Sequence, residues 1–532
     1  MKSATDTKNS LTATARDILS RGQRMLRGFE LALIPLSVIA ALIFIRVGAD
    51  RPLWLDEADS IQFASQSLGG ALESLRNDVN LPAYYLILHP WIALFGDSET
   101  AARSLSGLLY LATIGVVFQT GRFLFSDRRS AFYCAFFFLI SMQAIRNAQN
   151  IRSYALLGFL ASVSIFFCLR LLRSTDAKFR DCMGLVLGSF THMWFFFILA
   201  AEFAACLFCA PRKVLRGMIL AGLSVLPFAT LWLQPFLNQV GNGANASLNS
   251  FMPVFHWTFL PETLLQYYGG GVIAGLYFYI IYALLFRSLR NRSFSAFLRE
   301  PSVRLLMILF GTAILVSMTV CFFKPIYLPG RYTIIALPAL ATLLGAMLAR
   351  CANRALSIAF CYGLLVWTTV AHIQTRNVNV VSGWRSLQGQ SDKSTAQFIA
   401  QDAKKGDVVV FTSLSRLPVD YYLKRYGFDS GLREVSFPAE IDKHPSWRDV
   451  NTMLKNRPLL EAEAERAIND WEHLALQNRS SIWVLYGRDL AVSDILKQKL
   501  DRRFSLVQRV EVGCPFHTFV LKYTKPFDSV DE

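Results

Sequence analysis

Apolar stretches of about 20 residues, the length needed to cross a bilayer, recur from near the N-terminus to about residue 373. Short basic loops part them. Inside lipid every backbone N–H and C=O must be satisfied within the protein, so such stretches are constrained to be helices. Composition agrees, with 53% hydrophobic residues, 17% charged residues and 42 Phe in 532. Read at that length, the chain gives roughly eleven spans, centred near residues 38, 112, 138, 163, 187, 201, 226, 278, 313, 341 and 363. The pair in "GLVLGSFTHMWFFFILAAEFAACLF" is short and broken at Thr191-His192. The first run, "FELALIPLSVIAALIFI", continues as "RVGADRPLWLDE" without a small-residue cleavage site, which predicts an uncleaved first helix.

The formal net charge is +16. In a soluble chain that would suggest nucleic acid. Here the Lys and Arg residues sit in the loops, so they report topology, and no nucleic-acid partner is expected. The loops "SDRRS", "LRLLRSTDAKFR", "PRKVLRG", "FRSLRNRSFSAFLREPSVR" and "RCANR" and the tail "ARDILSRGQRMLRG" all fall on one side of the predicted spans. The positive-inside rule makes that side the cytoplasm. The loops near 49–99, 146–153, 236–268 and 323–331 then face outward, with everything after about residue 373. An even span count would reverse the placement of that tail. The nine cysteines lack metal or disulfide spacing. Cys134, Cys168, Cys182, Cys206, Cys209 and Cys361 lie in or beside apolar spans, as small hydrophobes do.

The tail differs in kind. "GDVVVFTSL", "SSIWVLYGRD" and "HTFVLKYT" read as buried strands, and "SDILKQKLDRRF" as a helix between strands. Alternating strands and helices predict a small α/β domain. The expected division is a cytoplasmic basic tail over 1–27, a transmembrane domain over 28–372 and an extracytoplasmic α/β domain over 373–532.

The first outer loop holds "LWLDEADS", with Asp56, Glu57 and Asp59 at a membrane edge. One reading is that Asp56 caps a short interfacial helix that begins near Glu57. The other is an active site at headgroup depth. "LPAYYLILHPWIALFG", too short and too aromatic for a span, favours the second, because it folds the loop back onto the bilayer as an interfacial helix.

In order, "LWLDEA", "DVNLPAYYLILHPWIALFGDSETAARSLSGLL", "AQNIRSYALLGFLA", "THMWFFFILAAE" and "GRYTIIALPALATLLGA" resemble the bacterial GT-C glycosyltransferases. More narrowly they resemble the protein-mannosyltransferase-like group, which includes lipid A aminoarabinose transferases and rhizobial galacturonosyltransferases. The resemblance runs from about residue 50 to 350. It implies a GT-C fold in the bacterial cytoplasmic membrane. It also implies an inverting transfer of sugar from a polyprenyl-phosphate donor to a lipid, glycan or protein acceptor on the outer face. It leaves a divalent metal open as a cofactor. Two departures stand out. The family usually has His-Pro-Pro-Leu-Tyr-Tyr where this chain has Asn80-Leu81-Pro82-Ala83-Tyr84-Tyr85, and often an acid where this chain has Asn150.

The chemistry asks for two things. The leaving phosphate needs fixed cations where charge develops. A hydroxyl acceptor needs a base, an effect of ~10²–10⁴-fold. Position and resemblance together make Asp56 the expected base, with Glu57 as fallback. A phosphate acceptor would need no base, and Asp56 would then orient it. For the donor phosphate the candidates are Arg331 in "YLPGRYTI" and Arg152 in "QNIRSY", with Lys324 behind them, against snorkelling or headgroup contact. Asp78, Asn80, Tyr84, Gln149, Tyr154, His192 and Tyr327 complete the implied substrate-contacting set, with Asp59 and Asp78 read as structural or acceptor contacts. Against them stand interfacial tyrosine belts and the structural hydrogen bonding usual for a lone His. His256 has no partner at zinc spacing. A transporter would show repeated halves and acids deep inside spans; no repeat stands out, and the acids read as confined to outer loops. An O-antigen ligase or polymerase would rely on a late outer loop rich in Arg and His.

Overall fold

Six helices are long and apolar enough to cross a bilayer: Ser20–Arg46, Glu99–Phe125, Tyr154–Arg173, Pro301–Phe323, Thr333–Arg350 and Arg354–Thr375. Arg128–Leu139 and Met142–Ala148, bent by 64° at their junction, together make a seventh. The computed structural model describes residues 2–76, 78, 80–173, 187–209, 253–269, 293–351, 353–375, 391–412, 415–428, 431–440, 454–487, 490–514 and 517–525, with scattered positions between 215 and 237. Among these the expectation of roughly eleven spans is met by six or seven. The expected spans near 226 and 278 fall largely or wholly outside the described residues. Near 187 and 201 the structure has a 3-10 turn, Leu187–Phe190, then a helix of only 15 residues, Phe195–Cys209. The break at Thr191–Trp194 divides the apolar run.

In chain order the helices are α1 (Lys2–Arg46), α2 (Leu55–Ser65), α3 (Leu68–Arg76), α4 (Ala83–Phe95), α5 (Glu99–Phe125), α6 (Arg128–Leu139), α7 (Met142–Ala148) and α8 (Tyr154–Arg173). There follow α9 (Phe195–Cys209), α10 (Phe259–Tyr267), α11 (Ser293–Arg299), α12 (Pro301–Phe323), α13 (Leu337–Cys351) and α14 (Arg354–Thr375). α13 is central and packs on α6. Gly345 permits it, since a Cβ there would collide with the Cys134 backbone. The short α2, α3 and α4 stand before α5, and the segment expected to be interfacial forms α4, an apolar helix too short to span.

The bundle has two chemically different ends. At one, Glu30 of α1 accepts from Arg129 Nε at 2.7 Å, Tyr133 Oη at 2.8 Å and Arg354 Nη2 at 2.6 Å, tying α1 to α6 and α14. Arg350 pairs with Glu300 at the same end. So basic residues of loops predicted to share a face do meet. The other end carries the loops after α1, α7 and α12. One acid departs from the expected confinement to loops: Glu202 of α9 is wholly buried, and its Oε2 accepts from Ser164 Oγ of α8 at 2.8 Å. An intramembrane carboxyl survives there because a facing hydroxyl partners it.

The C-terminal domain comprises α15 (Asp392–Asp402), β1 (Val408–Phe411), α16 (Arg416–Arg425), β2 (Arg433–Ser436), α17 (Arg457–Asn478), β3 (Ile482–Tyr486), α18 (Leu490–Arg503), β4 (Ser505–Cys514) and β5 (His517–Thr524). Its sheet has the order β2-β1-β3-β5-β4; β2, β1 and β3 are parallel, and β5 pairs antiparallel with both β3 and β4. "VVVF" is buried throughout because both faces are covered. Val408 and Val410 pack with Leu460, Ile468 and Leu496 of α17 and α18. Val409 and Phe411 pack toward α15 and α16, in one cluster with Leu53, Leu55 and Ile61 of the membrane domain. α15 and α16 are thus the layer between sheet and bundle.

Candidate active site

α2 presents three sides, because residues three and four apart share a helix face. Asp56, Asp59, Ser60 and Phe63 share one. Glu57 lies on a second, and Ala58, Ile61, Gln62 and Ser65 on a third. The helix begins at Leu55 with Trp54 as N-cap, so Asp56 is inside the first turn rather than the cap. The reach-back to the Trp54 N–H comes from Glu57 Oε2, at a long 3.5 Å.

On the first side the two candidate arginines converge. Arg331 Nη2 donates to Asp56 Oδ2 at 3.1 Å, and Arg331 Nε donates to Tyr154 Oη at 3.1 Å. Arg152 Nε lies 3.9 Å from the same Asp56 oxygen and its Nη1 3.7 Å from Asp59 Oδ2. Arg152 also donates to Asn80 Oδ1 at 3.1 Å and Tyr85 Oη at 3.3 Å. Asn80 in turn donates its side-chain N–H to Asp78 Oδ1 at 2.5 Å. Asp56 and Arg331 keep 13% and 15% of their side chains exposed. Among the described residues no hydrogen bond is made by Asp56 Oδ1 or Arg331 Nη1. These are the open valences of the cluster.

Arg331 is caged. Its guanidinium lies over the rings of Trp54, Tyr154 and Tyr332 at 5.7, 5.3 and 5.4 Å. Such contacts stabilise a desolvated cation and fix the plane of its fork. Burial opposes its charge, but Tyr154, Tyr332 and Asp56 outweigh that, and the guanidinium is held above its ordinary value. His192 packs between Tyr154 and Tyr332, with ring centroids 5.8 and 5.4 Å away. Burial first, then Asp78, pushes the Asp59 carboxyl well above its ordinary value, against the pull of Arg152. Three acids meet here, yet Arg152 occupies the space between them. Among the described residues no group of three or more His, Cys, Asp or Glu could hold a metal ion.

The structure therefore brings together Asp56, Asp78, Asn80, Arg152, Tyr154, His192 and Arg331. Four other candidates lie elsewhere. Glu57 is 0% exposed, and its two oxygens accept from Arg103 Nε at 2.9 Å, Arg103 Nη2 at 2.5 Å and the Ile151 N–H at 3.1 Å. Arg103 spends its remaining donors on the carbonyls of Ala49, Arg51 and Pro52. That saturated pair fixes the α1–α2 turn and leaves Glu57 no lone pair for a substrate. Gln149 donates to Phe44 O and Val47 O and accepts from Arg51, closing the end of α1. Tyr84 is wholly buried, edge-on to Tyr85, so the register of α4 gives the site Tyr85 instead. Tyr327 is wholly buried, stacked on Phe259 and bonded to Thr263 at 2.8 Å. Trp54, Tyr85 and Tyr332 were not anticipated as site residues. Asn150 accepts from Trp54 Nε1 at 3.3 Å and so holds one wall of the cage.

The C-terminal domain reaches this site from behind. Tyr422 Oη of α16 accepts from the Leu53 N–H at 2.8 Å and donates to Glu99 Oε1 at 3.0 Å, and Lys393 of α15 pairs with that same oxygen. Leu53 is three residues before Asp56.

No protein-family model and no curated protein matches the chain. Solved structures do match, among them two of ArnT. The crystal structure of ArnT from Cupriavidus metallidurans in the apo state matches with a TM-score of 0.60 and 15% identity, over 93% of this chain and 99% of that one. The same ArnT bound to undecaprenyl phosphate matches with a TM-score of 0.58 and 16% identity, over 92% of this chain and 98% of that one. From these likenesses, and from the bundle and appended sheet described above, the chain has the GT-C membrane fold with a C-terminal α/β domain.

Proposed function

We propose that the chain is a membrane glycosyltransferase. It moves a sugar from a polyprenyl-phosphate donor to a hydroxyl-bearing lipid, glycan or protein acceptor, with inversion at the anomeric carbon. The observation that carries this reading is the Asp56–Arg331–Arg152 cluster: a half-open carboxylate beside two fixed guanidinium groups at one end of the bundle. A solved relative in fold that holds undecaprenyl phosphate supports the donor class. Arg331 and Arg152 would hold the donor phosphate. Asp56 Oδ1 would take the acceptor proton as the acceptor oxygen bonds to the anomeric carbon. The bond from that carbon to the phosphate oxygen breaks, and polyprenyl phosphate leaves with its new charge on the two arginines. The basic loops at the opposite end favour placing this site outside the cytoplasm.

The test is transfer by the purified full-length chain in nanodiscs from synthetic polyprenyl-phosphate sugars, together with mass spectrometry of envelope glycans and lipid A from a deletion strain. Loss of one sugar residue in the strain, restored by wild type, is expected. An unchanged envelope, with no transfer from any donor in vitro, would remove the proposal.

A further inference from the structure

The third side of α2 packs on α16 through Ala58 and Ile61, which are buried with Leu417, and a cleft opens beside that contact. Ala58, Ile61, Gln62, Ser65 and Gln66 form one wall of a cleft of about 580 Å³, and Leu417, Asp420, Tyr421, Lys424 and Arg425 of α16 form the other, with Asp97 at the end. That volume falls in the usual range of small-molecule sites. The cleft backs directly onto the catalytic helix, about one helix diameter, 10–12 Å, from the face that carries Asp56.

Its chemistry narrows the occupant. Two carboxylates and two cations line it, and each is already matched: Arg425 with Asp97 at 2.5 Å, Lys424 with Asp420 at 2.8 Å. Burial pushes Glu434, beside Asp420, up to about 8, so it adds little charge at neutral pH. A site with balanced, internally paired charge is poorly suited to a phosphate or a lone cation. What remains are groups that donate and accept at once, the amides of Gln62 and Gln66 and the Ser65 hydroxyl, beside paired carboxylates that accept only. Adjacent sugar hydroxyls match such planar amides and carboxylates, and the Tyr421 ring stands in the α16 wall with the Arg425 guanidinium over it at 4.5 Å. Gln62 and Ser65 are exposed, so these groups are available.

We propose that the cleft between α2 and α16 is a neutral-glycan subsite, which holds an uncharged sugar segment of the acceptor beyond the residue being modified. This rests on the transferase reading for its acceptor role, while binding itself does not. The C-terminal domain then supplies half of a substrate site.

The experiment uses the full-length chain in nanodiscs. Saturation-transfer NMR with maltotriose and maltopentaose, and glucose 6-phosphate as the charged control, reports binding. Gln62→Trp fills the cleft from an exposed position, and Gln62→Ala removes only the amide. Saturation of the neutral oligosaccharides is expected in wild type and at least tenfold weaker in Gln62→Trp. Once a transferred sugar is known, the KM for an oligosaccharide acceptor should rise about tenfold in Gln62→Ala, the loss of about one good hydrogen bond. The kcat, and the KM for a monosaccharide acceptor, should hold. Binding that survives Gln62→Trp, or that appears only with glucose 6-phosphate, overturns the subsite. Transfer to no acceptor, with oligosaccharide binding retained, overturns the transferase reading and leaves the cleft standing as a glycan site.

Discussion

Asp56 and Glu57 are neighbours in one turn of α2, and each carboxylate meets an arginine. Their surroundings separate them. Glu57 and Arg103 are 0% and 1% exposed and use their hydrogen-bonding capacity on each other and on the turn. Asp56 and Arg331 are partly exposed and keep an oxygen and a nitrogen unspent. A buried ion pair of the first kind holds geometry: losing one partner leaves a stranded charge and costs about 3–5 kcal/mol. The second kind stores no such closure and leaves a carboxylate oxygen and a guanidinium nitrogen without a bond among the described residues. Saturation, more than charge or proximity, distinguishes scaffold from site.

The comparison can be broken at several points. Asp56→Asn keeps size and helix compatibility but cannot take a proton, so transfer to a hydroxyl acceptor should fall ~10²–10⁴-fold with an unchanged melting temperature. Near-normal turnover would assign Asp56 to acceptor orientation. Glu57→Gln should do the reverse. Its cost of about 3–5 kcal/mol would appear as poor accumulation and a lowered melting temperature, with the surviving folded fraction near normal in kcat. A stable but inactive Glu57→Gln would collapse the distinction. Arg331→Lys should cost ~10²-fold in kcat, since an ammonium cannot lie flat in the three-ring cage and reach both Asp56 and phosphate. Steady-state kinetics with varied donor would check it, and an unaffected rate would reduce Arg331 to a surface cation. The smallest effect is expected from Tyr422→Phe, which removes a bridge between domains. A loss of about 1 kcal/mol in stability, and a several-fold lower kcat at unchanged donor KM, would show that the C-terminal domain steadies the Leu53–Asp56 turn.

Much of the bundle was legible because hydropathy over a helix length is a local property. Span centres near 38, 112, 163, 313, 341 and 363 each fall within a helix long enough to cross. The convergence of Asp56, Arg152 and Arg331 was legible as far as their loops share one end. What was not legible depended on distant partners. Nothing near Glu57 announces Arg103, 46 residues away on a helix that otherwise reads as apolar. Tyr84 and Tyr85 differ by one step of helix rotation, and packing decides which of them reaches Arg152. Gln149 looked like part of a polar outer loop and turned out to plug the end of α1. Glu202 stands as an acid inside "AAEFAACLF", but the Ser164 hydroxyl that partners it lies 38 residues away on another helix.

The Glu30 clamp has a consequence for biogenesis. Its partners arrive late: Arg129 lies 99 residues downstream and Arg354 lies 324 residues downstream. At ribosomal speeds of about 5–20 residues per second, the first arginine emerges after roughly 5–20 s and the second after roughly 16–65 s. Over that interval Glu30 has at most part of its partner set, and the arrival of α14 completes it. The joint between α1 and α14 is therefore among the late contacts of the described bundle to close. A chain halted before Arg354 would present quality-control proteases with an α1 that has not yet locked into place.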